Sequence, residues 1–194
     1  MRRLVLVKHS MPEIDPDKPA SAWKLGEVGR GRAESLAAKL MEFNPCMIWS
    51  SREPKAIETA ETVAGERGVP VEIAVGLEEH HRDNVPFLSS KDEFEEAVER
   101  FFLHPDELVL GMETANQARD RFAAAIDKVI GAGQTDSIVV THGTVITLYV
   151  ASVAGVQRMG FWRRLGLPSY VVLTLPDMSI RSIVDDVTLQ GAQL

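Results

Sequence analysis

Apolar and polar positions alternate in blocks along the chain, and the blocks predict its elements. Residues 4–7, Leu-Val-Leu-Val, read as a buried strand. Residues 27–43 read as a helix with Val28, Leu36, Leu40 and Phe43 apolar, stopped by Asn44-Pro45. A second strand is predicted at 47–49 and a second helix at 53–67, ending at Gly68. A third strand at 71–74 leads into a loop, 75–90, rich in His, Arg, Asp, Asn and Pro. Helices follow at 91–103 and 113–130, the second closed by Gly-Ala-Gly. Residues 137–141 form a strand of Ile-Val-Val-Thr type, followed by His142-Gly143 and a helix from 144 to about 153. Strands at 170–175 and 179–184 are joined by a Pro-Asp turn, and the tail, 188–194, is weakly patterned. This alternation predicts parallel strands with helices on both faces, an α/β sandwich. No repeat or linker interrupts it, so a single domain over residues 1–194 is expected.

Composition narrows the class. The 194 residues are 45% hydrophobic and 25% charged, an ordinary globular balance. A net charge of −7 argues against nucleic-acid or anionic-membrane partners, which need a basic surface, but leaves room for a small cationic pocket. The one cysteine, Cys46, excludes an intramolecular disulfide and a Cys-rich zinc site, and its neighbours Met47 and Ile48 predict a small core residue. The first residues are too short in apolar run for a secretory signal, and window 146–156 is too short to span a bilayer. A cytoplasmic protein is therefore expected.

The first strand runs straight into Lys8, His9 and Ser10. In open α/β sheets ligands bind beyond the carboxyl ends of strands. His9 follows the first strand, Ser50 and Ser51 the second, Glu78 and Glu79 the third, and His142 the Ile-Val-Val-Thr strand. One histidine at a strand end reads as a capped terminus. Two on one rim, with carboxylates and cations, read as a reactive site.

These residues carry a resemblance. Lys8-His9-Ser10 resembles the Arg-His-Gly signature of the histidine phosphatase superfamily, the phosphoglycerate-mutase-like proteins. Residues 25–33, Leu-Gly-Glu-Val-Gly-Arg-Gly-Arg-Ala, resemble that family's Leu-Thr-x-x-Gly-x-x-Gln-Ala. Residues 50–60, from Ser50-Ser51 through Lys55-Ala56 to Thr59-Ala60, resemble Ser-Ser-Pro-x-x-Arg-Ala-x-x-Thr-Ala. Leu77-Glu78-Glu79 matches Leu-x-Glu, Glu113-Thr114 with Arg121 resembles Gly-Glu-Ser…Arg, and Thr141-His142-Gly143 matches Ser-His-Gly. The six segments appear in the family's order over residues 4 to about 155.

The resemblance implies phosphoryl transfer through a phosphohistidine on His9. A histidine attacks phosphorus as neutral imidazole, so its other ring nitrogen has to be held, here by a nearby backbone carbonyl. The transferring group needs cations and donors; protonated His142, Lys8 and Lys55 would supply them. Glu79 would protonate the leaving oxygen, its pKa raised beside a phosphate dianion, and then serve as base for water. Four positions depart from the family. Lys8 and Lys55 replace arginines and lose the bidentate fork. Ser10 replaces a glycine and would offer a hydroxyl to phosphate, and Arg52, in place of a proline, would swing in as a guanidinium or stay on the surface.

The remaining candidates are weaker. His80 and His81 suggest a substrate mouth or solvated positions, since no metal-ligand spacing accompanies them, and no metal or other cofactor is expected. The glycines at 26, 29 and 31 follow no strand and lack a nucleotide-loop ending. Trp23, Phe161 and Trp162 suit packing better than substrate contact, and Glu113 suits a supporting role or a helix start. The expected activity is metal-independent hydrolysis of a small phosphomonoester. The alternatives are a non-catalytic phosphate-binding protein, which the lysines favour, and a mutase, for which the chain is short.

Overall fold

The computed structural model of the chain describes residues 1–187; the tail 188–194 lies outside them. Six strands form one sheet: β1 (Arg3–Lys8), β2 (Ile48–Ser50), β3 (Val71–Ile73), β4 (Ser137–Thr141), β5 (Ser169–Thr174) and β6 (Ile180–Val184). Their order is β3-β2-β4-β1-β5-β6. The pairs β1–β4, β2–β4 and β2–β3 are parallel, while β5 runs antiparallel to both neighbours. The helices are α1 (Glu27–Leu40), α2 (Pro54–Gly65), α3 (Lys91–Leu103), α4 (Ala115–Ala132), α5 (Gly143–Ala154) and α6 (Arg158–Arg164).

The central strands are buried on both faces, and successive residues serve opposite layers. Leu4, Leu6 and Val139 pack with Phe101, Phe122, Ile126 and Val145, from α3, α4 and α5. Val5, Val7, Ile138 and Val140 pack with Leu36, Leu40, Ala56 and Val63, from α1 and α2. Each such side chain, fully buried, contributes about 1.5–3 kcal/mol. The result is the three-layer sandwich with a mixed, mostly parallel sheet.

Local chemistry sets several helix starts. Ser90 caps α3 by accepting from Glu93 N, and Thr114 and Gln117 make a reciprocal capping box on α4. In α1, by contrast, Val28 is 62% exposed, so the buried stripe rests on Gly29, Ala33, Leu36, Ala37 and Leu40. Gly29 has no room for a side chain: a Cβ there would overlap the Met11 carbonyl. That close approach presses α1 against the segment after β1. Cys46 is exposed, a correction to its expected place in the core. It lies in the turn before β2, where Phe43, Pro45 and Ile48 fill the interior instead.

Candidate active site

Strand register builds the site. Lys8 pairs with Thr141 across β1 and β4, so His9 and His142 leave adjacent strands at one level. His9 N donates to Thr141 O at 2.9 Å, and the two imidazoles lie 5.1 Å apart between centroids at 62°. Ser50 pairs with Val140, and Ser51 N donates to Val140 O at 2.9 Å, which brings the start of α2 to the same rim. A cavity of about 570 Å³ opens there, lined by His9, His142, Lys8, Lys55, Arg52 and Glu79 among others.

The His9 ring is almost fully buried, and its Nδ1 lies 2.7 Å from the Ser10 carbonyl. A carbonyl only accepts, so Nδ1 carries the proton and Nε2 keeps its lone pair. Burial first, with the Lys55 charge behind it, pushes the His9 pKa well below 6.5. The ring is therefore neutral.

His142 is neutral too. Burial leads, aided by the Lys55 charge, in pushing its pKa well below 6.5. Its Nε2 lies 2.8 Å from Ser51 Oγ and 3.3 Å from Glu53 Oε1, and its Nδ1 is buried with no partner.

Glu79 is held low by its protein surroundings. Burial alone would raise it, but its hydrogen bonding with His80, whose backbone amide donates to Oε1 at 3.0 Å, outweighs that and sets it well below 4.5. Its oxygens accept from Thr144 N at 3.1 Å and Val145 N at 3.2 Å, at the start of α5, where backbone amides and the helix dipole favour a carboxylate.

The two lysines reach the cavity already engaged. Lys8 Nζ donates to Leu165 O at 2.6 Å, and burial lowers its pKa to about 8, against an opposing pull from Glu79. Lys55 Nζ donates to Ala20 O at 2.6 Å and is ion-paired with Glu53. Arg52 stands on the cavity wall, its exposed side chain paired with buried Glu78 at 2.9 Å. Ser10 does not reach the cavity. Its hydroxyl donates to Gly29 O at 2.6 Å, where it ties the loop after β1 to α1.

Among the cavity residues that sequence reasoning missed are Glu53 and Arg82. Glu53 is buried, contacts Lys55 and His142, and accepts from Glu79 N at 2.8 Å. No sequence signal marked it, since a carboxylate before Pro54 reads as an ordinary helix start; in the structure it occupies the N-cap of α2, yet its side chain does not cap. Arg82 lies over the Phe94 ring at 4.8 Å. His80 lines the cavity and is buried against Phe101, its centroid 4.6 Å away, so of its two expected places it is not the solvated one. His81 is half-exposed at the mouth. Trp23 and Trp162 line the cavity, while Phe161 is in the core.

Glu113 supports the site from behind. It accepts from His81 N at 2.9 Å and from Arg121 Nη2 at 2.6 Å. Arg121 also donates to the carbonyls of Gly76, Glu78 and Glu79. The loop carrying Glu79 is thereby fixed to α4.

Among the cavity residues, carboxylates (Glu53, Glu78, Glu79, Asp83) equal lysines and arginines (Lys8, Arg52, Lys55, Arg82) in number. With both central histidines neutral, the expected surplus of cations is absent. Among the described residues, no group of three or more His, Cys, Asp and Glu is placed to hold a metal ion, and no helix is long and apolar enough to cross a membrane.

Comparisons with known proteins agree with this architecture. A family model for the histidine phosphatase superfamily, branch 1, matches residues 4–181. No curated protein sequence matches the chain. A mycobacterial glucosyl-3-phosphoglycerate phosphatase, solved with VO3, is similar in structure with a TM-score of 0.76 at 19% identity, covering 96% of this chain and 100% of that one. YhfR of Bacillus stearothermophilus has a TM-score of 0.72 at 21% identity, over 95% and 96% of the two chains. A phosphoserine phosphatase of Entamoeba histolytica, solved with 3-phosphoglyceric acid, has a TM-score of 0.69 at 18% identity, over 95% and 97%. At these identities the solved structures establish the fold, and the family match, which spans most of the chain, establishes membership: this chain belongs to the histidine phosphatase superfamily.

Proposed function

We propose that the chain is a phosphatase acting on a small phosphomonoester through phospho-His9. The observation that carries this reading is the His9 Nδ1–H bond to the Ser10 carbonyl, which leaves a neutral ring with Nε2 free for attack. Nε2 bonds to phosphorus as the ester P–O bond breaks. Glu79 delivers a proton to the leaving oxygen. Because the free site holds Glu79 as a carboxylate, that proton arrives with the substrate, as the phosphomonoester monoanion, or is taken up when the dianion raises the Glu79 pKa. Water then attacks phosphorus, Glu79 accepts its proton, and the P–N bond breaks to release phosphate and neutral His9.

Similar solved structures include phosphatases of phosphorylated small molecules, which supports this substrate class. A second reading, phosphate binding without turnover, is favoured by one observation: Lys8 and Lys55 are already bonded to Leu165 O and to Ala20 O and Glu53. A panel of phosphomonoesters separates the two. Hydrolysis of at least one ester, abolished in His9→Ala, is expected. Phosphate binding with no turnover of any ester would establish the second reading.

A further inference from the structure

A buried carboxylate inside a phosphate pocket needs a role, because it repels the ligand. Glu53 is that carboxylate: it is ion-paired with Lys55, lies 3.3 Å from His142 Nε2 and accepts from Glu79 N. A carboxylate can only accept, so it selects the tautomer of His142 that carries hydrogen on Nε2, shared with Ser51 Oγ at 2.8 Å. The other tautomer would set the Nε2 lone pair against the Glu53 oxygen and leave a buried Nδ1–H unpaired. In the selected tautomer Nδ1 holds a lone pair, is fully buried and has no partner, on a residue that lines the cavity.

We propose that Glu53 is a positioning residue that fixes one proton of His142 on Nε2, so that Nδ1 takes up a second when a phosphate dianion enters. His142 thereby becomes the cation that the resting site lacks. The proposal rests on the phosphoryl-site reading above. The groups facing His142 are consistent with such a balance. His9 meets it from the end of β1, Glu53 and Lys55 from the start of α2, Glu79 and Arg82 from the loop before α3, and Arg121 from α4. At rest Lys55 and the arginines oppose protonation and Glu79 favours it. An incoming dianion adds negative charge next to a ring whose far nitrogen is already bonded to Ser51 Oγ and faces the Glu53 carboxylate at 3.3 Å, and the charged form becomes the favoured one. The resting site thus stays near neutrality, and the bound site gains a proton in place of a fixed arginine.

Imidazole nitrogen NMR of the full chain reads this directly, with inorganic phosphate at pH 8 as the probe. In the free wild type, His142 should be neutral with hydrogen on Nε2. With phosphate bound, its Nδ1 resonance should move from the lone-pair-bearing to the protonated region. In Glu53→Gln the side-chain amide can donate to Nε2, freeing a neutral Nδ1–H to meet the phosphate, so the doubly protonated ring should not form. An Nδ1–H tautomer in the free wild type, a ring that stays neutral with phosphate bound, or an imidazolium that persists in Glu53→Gln would each overturn the proposal. The wild-type spectra decide even if the variant does not fold. Failure of phosphate to bind the wild type at all would overturn the phosphoryl-site reading itself, and the proposal with it.

Discussion

At the scale of single residues, Lys8 and Ser10 show how similar sequence departures acquire different meanings. Lys8 is a cavity cation whose pKa burial has lowered to about 8. An unfolded chain would hold that proton up to about 10.5, so unfolding binds protons between the two values and stability rises with pH across that window. Phosphate affinity should run the other way, falling above about pH 8 as Lys8 loses its charge. In Lys8→Arg that alkaline fall should vanish, because a guanidinium stays charged; a fall unchanged in the variant would remove Lys8 from phosphate binding. Ser10 lies outside the pocket. Ser10→Ala strips the Gly29 carbonyl of its hydroxyl partner and should cost about 1–3 kcal/mol in denaturant unfolding with phosphate affinity little changed. Intact stability with weakened phosphate binding would return Ser10 to the pocket. His9 was legible because a polar, reactive residue follows a four-residue apolar run. Glu53 was not, because a carboxylate before Pro54 is what any helix start favours; only its burial distinguishes it.

At the scale of elements, the loop between β3 and α3 depends on α4. Arg121 reaches three carbonyls of residues 76–79 and binds Glu113, which in turn holds His81 N. Arg121→Ala should therefore release Glu79 from its register against α5. Turnover should fall by on the order of a hundredfold, as misplacement by about an ångström does elsewhere. Amide exchange at His81 N and Met112 N, which are bonded to Glu113 and the His81 carbonyl, should accelerate. Unchanged exchange at both would mean the loop holds its own shape. Sequence patterning read α3 and β4 to the residue, since Ser90 marks one start and β4 is buried throughout. It overran α1 by three residues because Phe43 stays in the core after the helix has ended. It missed α6, seven residues interrupted by Gly160 and too short for a helical period to emerge.

At the scale of the molecule, alternating strands and helices were enough to predict the sandwich, and the strand ends enough to predict the rim. What they could not supply was charge state. Protonation depends on burial and on partners from distant segments, which hold both His142 and Glu79 below their ordinary values. The account assigns every charge in the reaction to side chains, so hydrolysis should survive exhaustive chelation. Loss of turnover on chelation, restored by zinc or manganese, would instead place a metal in the mechanism.

The central claim is that phosphate passes through His9. Acid-labile, alkali-stable phosphate is the chemical signature of an N-phosphorylated histidine. Rapid quenching of the wild type during turnover of a labelled phosphomonoester, at alkaline pH to protect the P–N bond, tests it most directly. The account predicts label on the peptide containing His9 and its absence in His9→Ala. Turnover at full rate with no label on His9, or label on another residue, would contradict it.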